Sequence, residues 1–146
     1  MIEILRDQPS GICQDCTSGF PTASSQVSAI YPNKQTVLNF FTGTPDPSVS
    51  YFKPFIFHSS VKESSTKTQT TSGKDGKHFL YSKHEEFYQN LKNDIKLQET
   101  LRNIENVCID ELQELLANSD PASDPENNDI HSLFADSVES EIRFYR

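Results

Sequence analysis

Cys13-Gln14-Asp15-Cys16 is the first stretch of this 146-residue chain with the residue types for chemistry. A C-x-x-C pair can hold zinc or exchange thiols with disulfides, because its two sulfurs reach a common partner. Zinc needs two further ligands, and Cys108, His58, His78, His84 and His131 are scattered without a second close pair. Thiol exchange usually sets the motif at a helix start after a strand, and no such pattern precedes Cys13. Two ordinary thiols in a loop are the expectation, with no metal and no cofactor.

Other constellations fare no better. Cys108 with His84 or His131 is a conceivable thiol–imidazole pair. On one continuous helix, however, His84 and Cys108 lie about 36 Å apart along the axis. Glu85-Glu86 and Asp110-Glu111 are neighbours on a solvated face rather than converging carboxylates. Gly43, Gly73 and Gly76 mark isolated turns, not a phosphate-cradling loop. The sequence therefore assigns no catalytic, cofactor-binding or metal-binding residue.

The elements that would position any such group centre on residues 40–57, which hold Phe40, Phe41, Phe52, Phe55 and Phe57. Inside this stretch Thr44-Pro45-Asp46-Pro47 reads as a rigid turn. Each proline fixes its own φ and pushes the residue before it towards extended geometry, while Asp46 can bond nearby backbone. Alternation over Thr22–Tyr31 predicts a first strand, with Pro32–Gln35 as the turn after it. Thr36–Thr42 and Tyr51–Phe57 supply two more, apolar on both faces, with Pro54 placing the last at an edge or bulge. The fold class is thus α+β, an antiparallel meander of about three strands (roughly 22–31, 36–43 and 51–57).

Ile2–Asp7 forms a short helix candidate ended by Pro9 and Gly11. Residues 58–77 are rich in serine and threonine with Val61 the one apolar residue, a composition too polar to offset its ordering entropy. A long amphipathic helix follows, over roughly 82–117. It opens on a capping box, Ser82-Lys83-His84-Glu85, and its seam carries Leu80, Phe87, Leu101, Cys108 and Leu115. Asp94 interrupts that seam and Ile95 partly replaces it. Asn118-Ser119-Asp120-Pro121 ends the helix. One side lying along the domain is favoured over a coiled coil, because half the second-position sites are polar. The organisation expected is 1–57 as the sheet-bearing part of a domain (by the resemblance given below, the C-terminal part of a hydrolase-like domain), 58–77 as linker, 78–118 as helix, and 119–146 as an acidic tail with a short helix.

Charge is uneven. Residues 1–60 carry a net −1, residues 61–109 a net +1, and residues 110–146 a net −8, the same as the whole chain. An acidic end argues against nucleic acid and against anionic membrane surfaces. No apolar run is long enough to span a bilayer, and the charged start at Met1–Asp7 is unlike a signal peptide. Three cysteines suit a reducing compartment, so a cytoplasmic location is expected. Phe134-Ala135-Asp136-Ser137-Val138-Glu139 loosely resembles acidic-tract motifs read by membrane contact-site proteins. It lacks the second aromatic, and an amphipathic tail is the reading preferred.

Phe40-Phe41-Thr42-Gly43-Thr44-Pro45-Asp46-Pro47, followed by Phe52-Lys53-Pro54-Phe55-Ile56-Phe57, resembles the C-terminal part of the secernins. These are relatives of the cysteine dipeptidases within the N-terminal nucleophile hydrolases. The likeness extends back through Ile4-Leu5-Arg6-Asp7, Pro9-Ser10-Gly11-Ile12, Thr22-Ala23-Ser24 and Val27-Ser28. It continues more loosely through Leu80-Tyr81, His84, the long helix and Leu133-Phe134.

The resemblance implies part of an αββα fold and cysteine-type exopeptidase relatives. It also implies a nucleophile whose own amino group is the base, which requires a cysteine at the first mature position. Met1-Ile2 stand first here, so the chain is expected to be a C-terminal piece or shortened product that is catalytically silent alone. The alternative is a non-catalytic interaction protein linked to regulated exocytosis. Expected partners are the N-terminal half of the same protein, or a protein bound by the long helix or acidic tail. If cover is missing, Phe40, Phe41, Phe52, Phe55 and Phe57 should bind a hydrophobic dye.

Overall fold

A computed structural model describes residues 1–32, 36–56, 76–118 and 128–146. The turn expected at 33–35, the stretch 57–75 with Phe57 and His58, and the second linker at 119–127 lie outside the described residues. So does the His131 side chain. Among the described residues the architecture is mixed α+β, a three-stranded antiparallel sheet and three α-helices.

β1 (Gln26–Tyr31), β2 (Thr36–Phe41) and β3 (Lys53–Ile56) pair in the order β1-β2-β3. Ile30 sits opposite Val37, Ser28 opposite Asn39, and Asn39 opposite Phe55. Since alternate residues share a face, Ala29, Leu38, Phe40 and Ile56 line one side. Asn39, Phe41, Lys53 and Phe55 line the other. Phe41 meets Phe55 edge-on at 6.1 Å, and Phe55 meets Phe134 at 5.2 Å. Pro54 falls on β3 at the sheet's edge, where a missing N–H is tolerated.

β1 is shorter than the alternation at 22–31 suggests. Thr22 serves the loops instead: its N–H donates to the Gln14 carbonyl, and its own carbonyl accepts from Asp46 N–H.

The expected long helix is two helices. α1 (Phe79–Asn93) and α2 (Ile95–Asn118) are separated at Asp94, whose φ of −122° and ψ of 105° are extended. Asp94 Oδ1 accepts from Lys96 N–H at 2.9 Å and so starts α2, while Gln98 Nε2 reaches back to the Leu91 carbonyl at 2.7 Å. Leu91 of α1 and Leu101 of α2 both enter the same core. The N-cap is His78, with Nδ1 accepting from Leu80 N–H, so Ser82-x-x-Glu85 lies inside the helix. α3 (Asn128–Phe144) packs on β3 and α2.

Leu38, Val49, Tyr51, Leu80, Leu91, Leu101, Leu112, Leu133, Val138 and Ile142 form one core. Burying each such side chain stabilises by roughly 1.5–3 kcal/mol. The helices therefore supply the cover that the aromatic strands demand. Phe52 is fully buried and Phe40, Phe41 and Phe55 are half-buried, contrary to the expectation that these rings stand open. Ser137 and Val138 are buried within α3, which removes the 134–139 stretch from use as an exposed linear motif. Among the described residues no helix is long and apolar enough to cross a membrane.

Candidate functional site

The turn between β2 and β3 is where polar groups converge. Asp46 takes φ 55° and ψ 82°, left-handed rather than the extended geometry expected before a proline. For an L residue this costs about 1–2 kcal/mol, and aspartate bears it better than most because its side chain bonds locally. Here the Asp46 carboxylate is fully buried and accepts from Ser48 N–H and Oγ, and from Tyr88 OH at 2.8 Å. Cys13 Sγ and Gln8 Nε2 approach Oδ1 at 3.4 Å each, and Lys92 Nζ stands 3.5 Å from Oδ2. One carboxylate thus ties the N-terminal loop, the turn and α1 together.

Two arginines bind the turn's carbonyls from the other side. Arg6 donates to Pro47 O and Ser50 O, and Arg102 to Ser48 O and Ser50 O. Glu105 in α2 bridges them, accepting both from Arg6 Nη2, at 2.6 and 2.8 Å, and from Phe52 N–H at 2.7 Å. The short helix candidate at 2–7 is a 3-10 turn, Ile2–Arg6, anchored through Arg6 rather than through an apolar stripe.

A second chain of polar contacts runs through the core. Lys53 Nζ pairs with Glu141 Oε2 and donates to the Tyr51 carbonyl at 2.8 Å. Tyr145 OH donates to Glu141 Oε1 at 2.7 Å, and lies 2.9 Å from His84 Nδ1. His84 is fully buried, and among the described residues Nε2 has no partner. His84 also borders a recess of about 260 Å³ with Cys16, Pro45, Tyr81, Glu85 and Tyr88.

Burial, then the Lys53 charge, holds the His84 imidazole down to about 4, with Asp46 and the Pro45 carbonyl pulling weakly upward. Between the ordinary 6.5 and about 4 the unfolded chain takes up a proton that the folded chain refuses, so stability falls as pH drops across that window. The loss reaches roughly 3 kcal/mol by pH 4. Glu141, raised by burial, works in the opposite direction, because the folded carboxyl gains its proton first. The comparison with a variant isolates the ring: urea unfolding from pH 7.5 to 4 should show a steeper loss for the native chain than for His84→Gln. Parallel curves would contradict this assignment.

All three cysteines are free thiols. Cys13 lies against Asp46, Cys16 is exposed with its N–H donating to Tyr88 OH, and Cys108 Sγ contacts Ser137 Oγ at 3.0 Å. Desolvation raises all three, and Asp46 adds to the rise at Cys13 and Cys16, so each is a thiol rather than a ready nucleophile. Cys108 and His84 have separate partners. Among the described residues no three His, Cys, Asp or Glu side chains gather to hold a metal ion.

Sequence reasoning assigned no role to Asp46, Tyr88, His84, Tyr145 and Glu141 acting together. The signal was spacing: Leu80, His84, Tyr88 and Leu91 share one buried stripe of α1, which places two polar rings in the core. No family model matches the chain, and no solved structure matches it at a significant level.

Proposed function

We propose that the chain is the C-terminal part of a secernin-like protein related to the cysteine dipeptidases. In this role it is a non-catalytic sheet-and-helix half, which the N-terminal half of the protein joins along β1. The observation that carries the proposal is the state of that strand. Among the described residues nothing pairs with its outer edge. Ile30 is 72 % exposed, Tyr31 41 % and, opposite Ile30, Val37 42 %. An edge strand without proline or charge is a template for another strand, and chains that stay alone usually blunt such an edge. β1, Gln-Val-Ser-Ala-Ile-Tyr, has neither device. The opposite edge strand, β3, packs against α3.

Extension at β1 is consistent with a larger αββα body, of which this chain contributes strands and a helical layer. The Thr44-Pro45-Asp46-Pro47 motif that carries the resemblance lies buried at the junction of loop, sheet and helices. Its chemistry is that of a structural knot, not an open catalytic loop. The raised thiols supply no activated nucleophile. The purified chain is therefore expected to hydrolyse no dipeptide. Turnover that thiol alkylation abolishes would overturn the proposal.

A further inference from the structure

Between α2 and α3 lies an open groove of about 350 Å³. Ile104, Val107 and Cys108 of α2 and Leu133 and Ser137 of α3 line it, with the buried Tyr51. Its polar side chains are already engaged. Thr100 Oγ1 donates to the Lys96 carbonyl at 2.8 Å, and Ser137 Oγ to the Leu133 carbonyl at 2.6 Å. Cys108 Sγ lies 3.0 Å from Ser137 Oγ. The groove therefore offers a guest mainly apolar surface. Val107 continues that surface outward, 66 % exposed in mid-helix.

The rim carries charge of one sign. Glu111 and Asp136 border the groove, and Asp110 and Glu114 flank Glu111 on α2, all four exposed. Among the described residues none of the four has an ion-pair partner, whereas Glu85, Glu86 and Glu139 pair with Lys77, Lys83 and Arg143. The cations of the two helices stand elsewhere. Arg102 is bound to the turn's carbonyls and Arg143 to Glu139. Lys96 lies beyond the Thr100 end, about 22 Å along the axis from Glu111. A guest with carboxylates would be repelled here, and a wholly apolar one would strip water from the rim without replacing it.

The length suits a helix. Thr100 to Glu111 covers about 16 Å of α2, while an i, i+4, i+7 stripe on a guest helix covers about 10 Å. Two packed helices present ridges and grooves into which a third can settle. We infer that the α2–α3 groove receives a basic amphipathic helix of a partner protein, with aliphatic side chains against Ile104, Val107 and Leu133 and lysines or arginines against Glu111 and Asp136. The groove shares no residue with β1, so the inference is independent of the family proposed above.

The test uses the full chain, labelled with ¹⁵N, and two peptides of about 18 residues, long enough to form a helix. Both carry leucine at i, i+3, i+4 and i+7 positions, one with lysine and the other with glutamate on the polar face. The lysine peptide should bind 1:1 in the micromolar range and shift amides centred on α2 and α3, and the glutamate peptide should not bind. Asp136→Lys should weaken binding about fivefold or more, and Val107→Asn about threefold. Glu86→Lys makes the same change of net charge on α1 and should leave the affinity within about twofold. All three positions are exposed, so the variants should keep the native urea midpoint. No binding of the lysine peptide at millimolar concentration, equal binding of the glutamate peptide, or amide shifts centred outside the two helices would each overturn the inference. So would equal losses in Asp136→Lys and Glu86→Lys, or full affinity in Val107→Asn.

Discussion

Replacing Glu105 with alanine should destabilise the chain by about 3–5 kcal/mol, a large share of the stability of a domain this size. Glu105 is almost wholly buried, yet it accepts from Arg6 twice and from Phe52 N–H. Without it, two guanidiniums share the turn with no buried carboxylate between them, and only the exposed Glu3 remains beside Arg6. Arg6 is itself buried, stacked 4.9 Å from the Phe52 ring. Burial and Arg6 already hold the Arg102 guanidinium down to about 10 while Glu105 supports its charge. Loss of that support leaves these cations the exposed Glu3 carboxylate, 2.7 Å from Arg6, in place of a buried partner, and orphans the Phe52 N–H. Glu105→Gln should recover part of the loss, because the amide still accepts one bond but cannot neutralise Arg6. Urea midpoints of the two variants check this, and an alanine cost below about 1 kcal/mol would place Glu105 among ordinary exposed pairs.

The second large effect belongs to Lys53 and Glu141, both essentially inaccessible to solvent. Glu141→Leu should cost about 3–5 kcal/mol, because it leaves the Lys53 ammonium in the core with the Tyr51 carbonyl and ring, and frees Tyr145 OH. Lys53→Met should cost less. Burial already raises the Glu141 carboxyl, so without its cation the group takes up a proton and becomes neutral. The double variant Lys53→Met/Glu141→Leu should recover most of the loss, since apolar packing replaces a buried pair at little cost. Strict additivity of the two single losses would contradict this account.

Much of the sheet was legible. Thr36–Phe41 and Lys53–Ile56 fall inside the stretches marked by aromatic and β-branched residues, and Pro54 indicated the edge correctly. The first half of the 22–31 alternation is not in the ladder. Small polar residues alternate as readily in a loop, and Thr22 finds its partners in Gln14 and Asp46.

Asp94 was visible as an interruption, but a local pattern does not say whether a polar residue rides on a helix or ends it. The structure ends α1 there, with Asp94 extended and its carboxylate starting α2. The apparent shortage of cover for the phenylalanines was a question of layers. The stripe on α3, with Leu133, Val138 and Ile142, closes β3, and its packing partner is not readable from periodicity. The buried polar chains were hardest to see. Arg6, Glu105, Lys53 and Glu141 look like surface charges one by one, and their partners lie 99 and 88 residues away in sequence. Asp46 reversed a local rule for the same reason, as Tyr88, Cys13 and Lys92 converge on its carboxylate.

Docking along β1 is tested most directly by mixing the folded chain with the N-terminal half of a secernin and measuring association by calorimetry. A 1:1 complex is predicted, and Ile30→Lys should weaken it at least about tenfold, because a charge on an open edge opposes strand addition. Ile30 is exposed, so the substitution leaves the fold and its urea midpoint in place. A native chain that stays alone, or a complex indifferent to lysine at position 30, would contradict it.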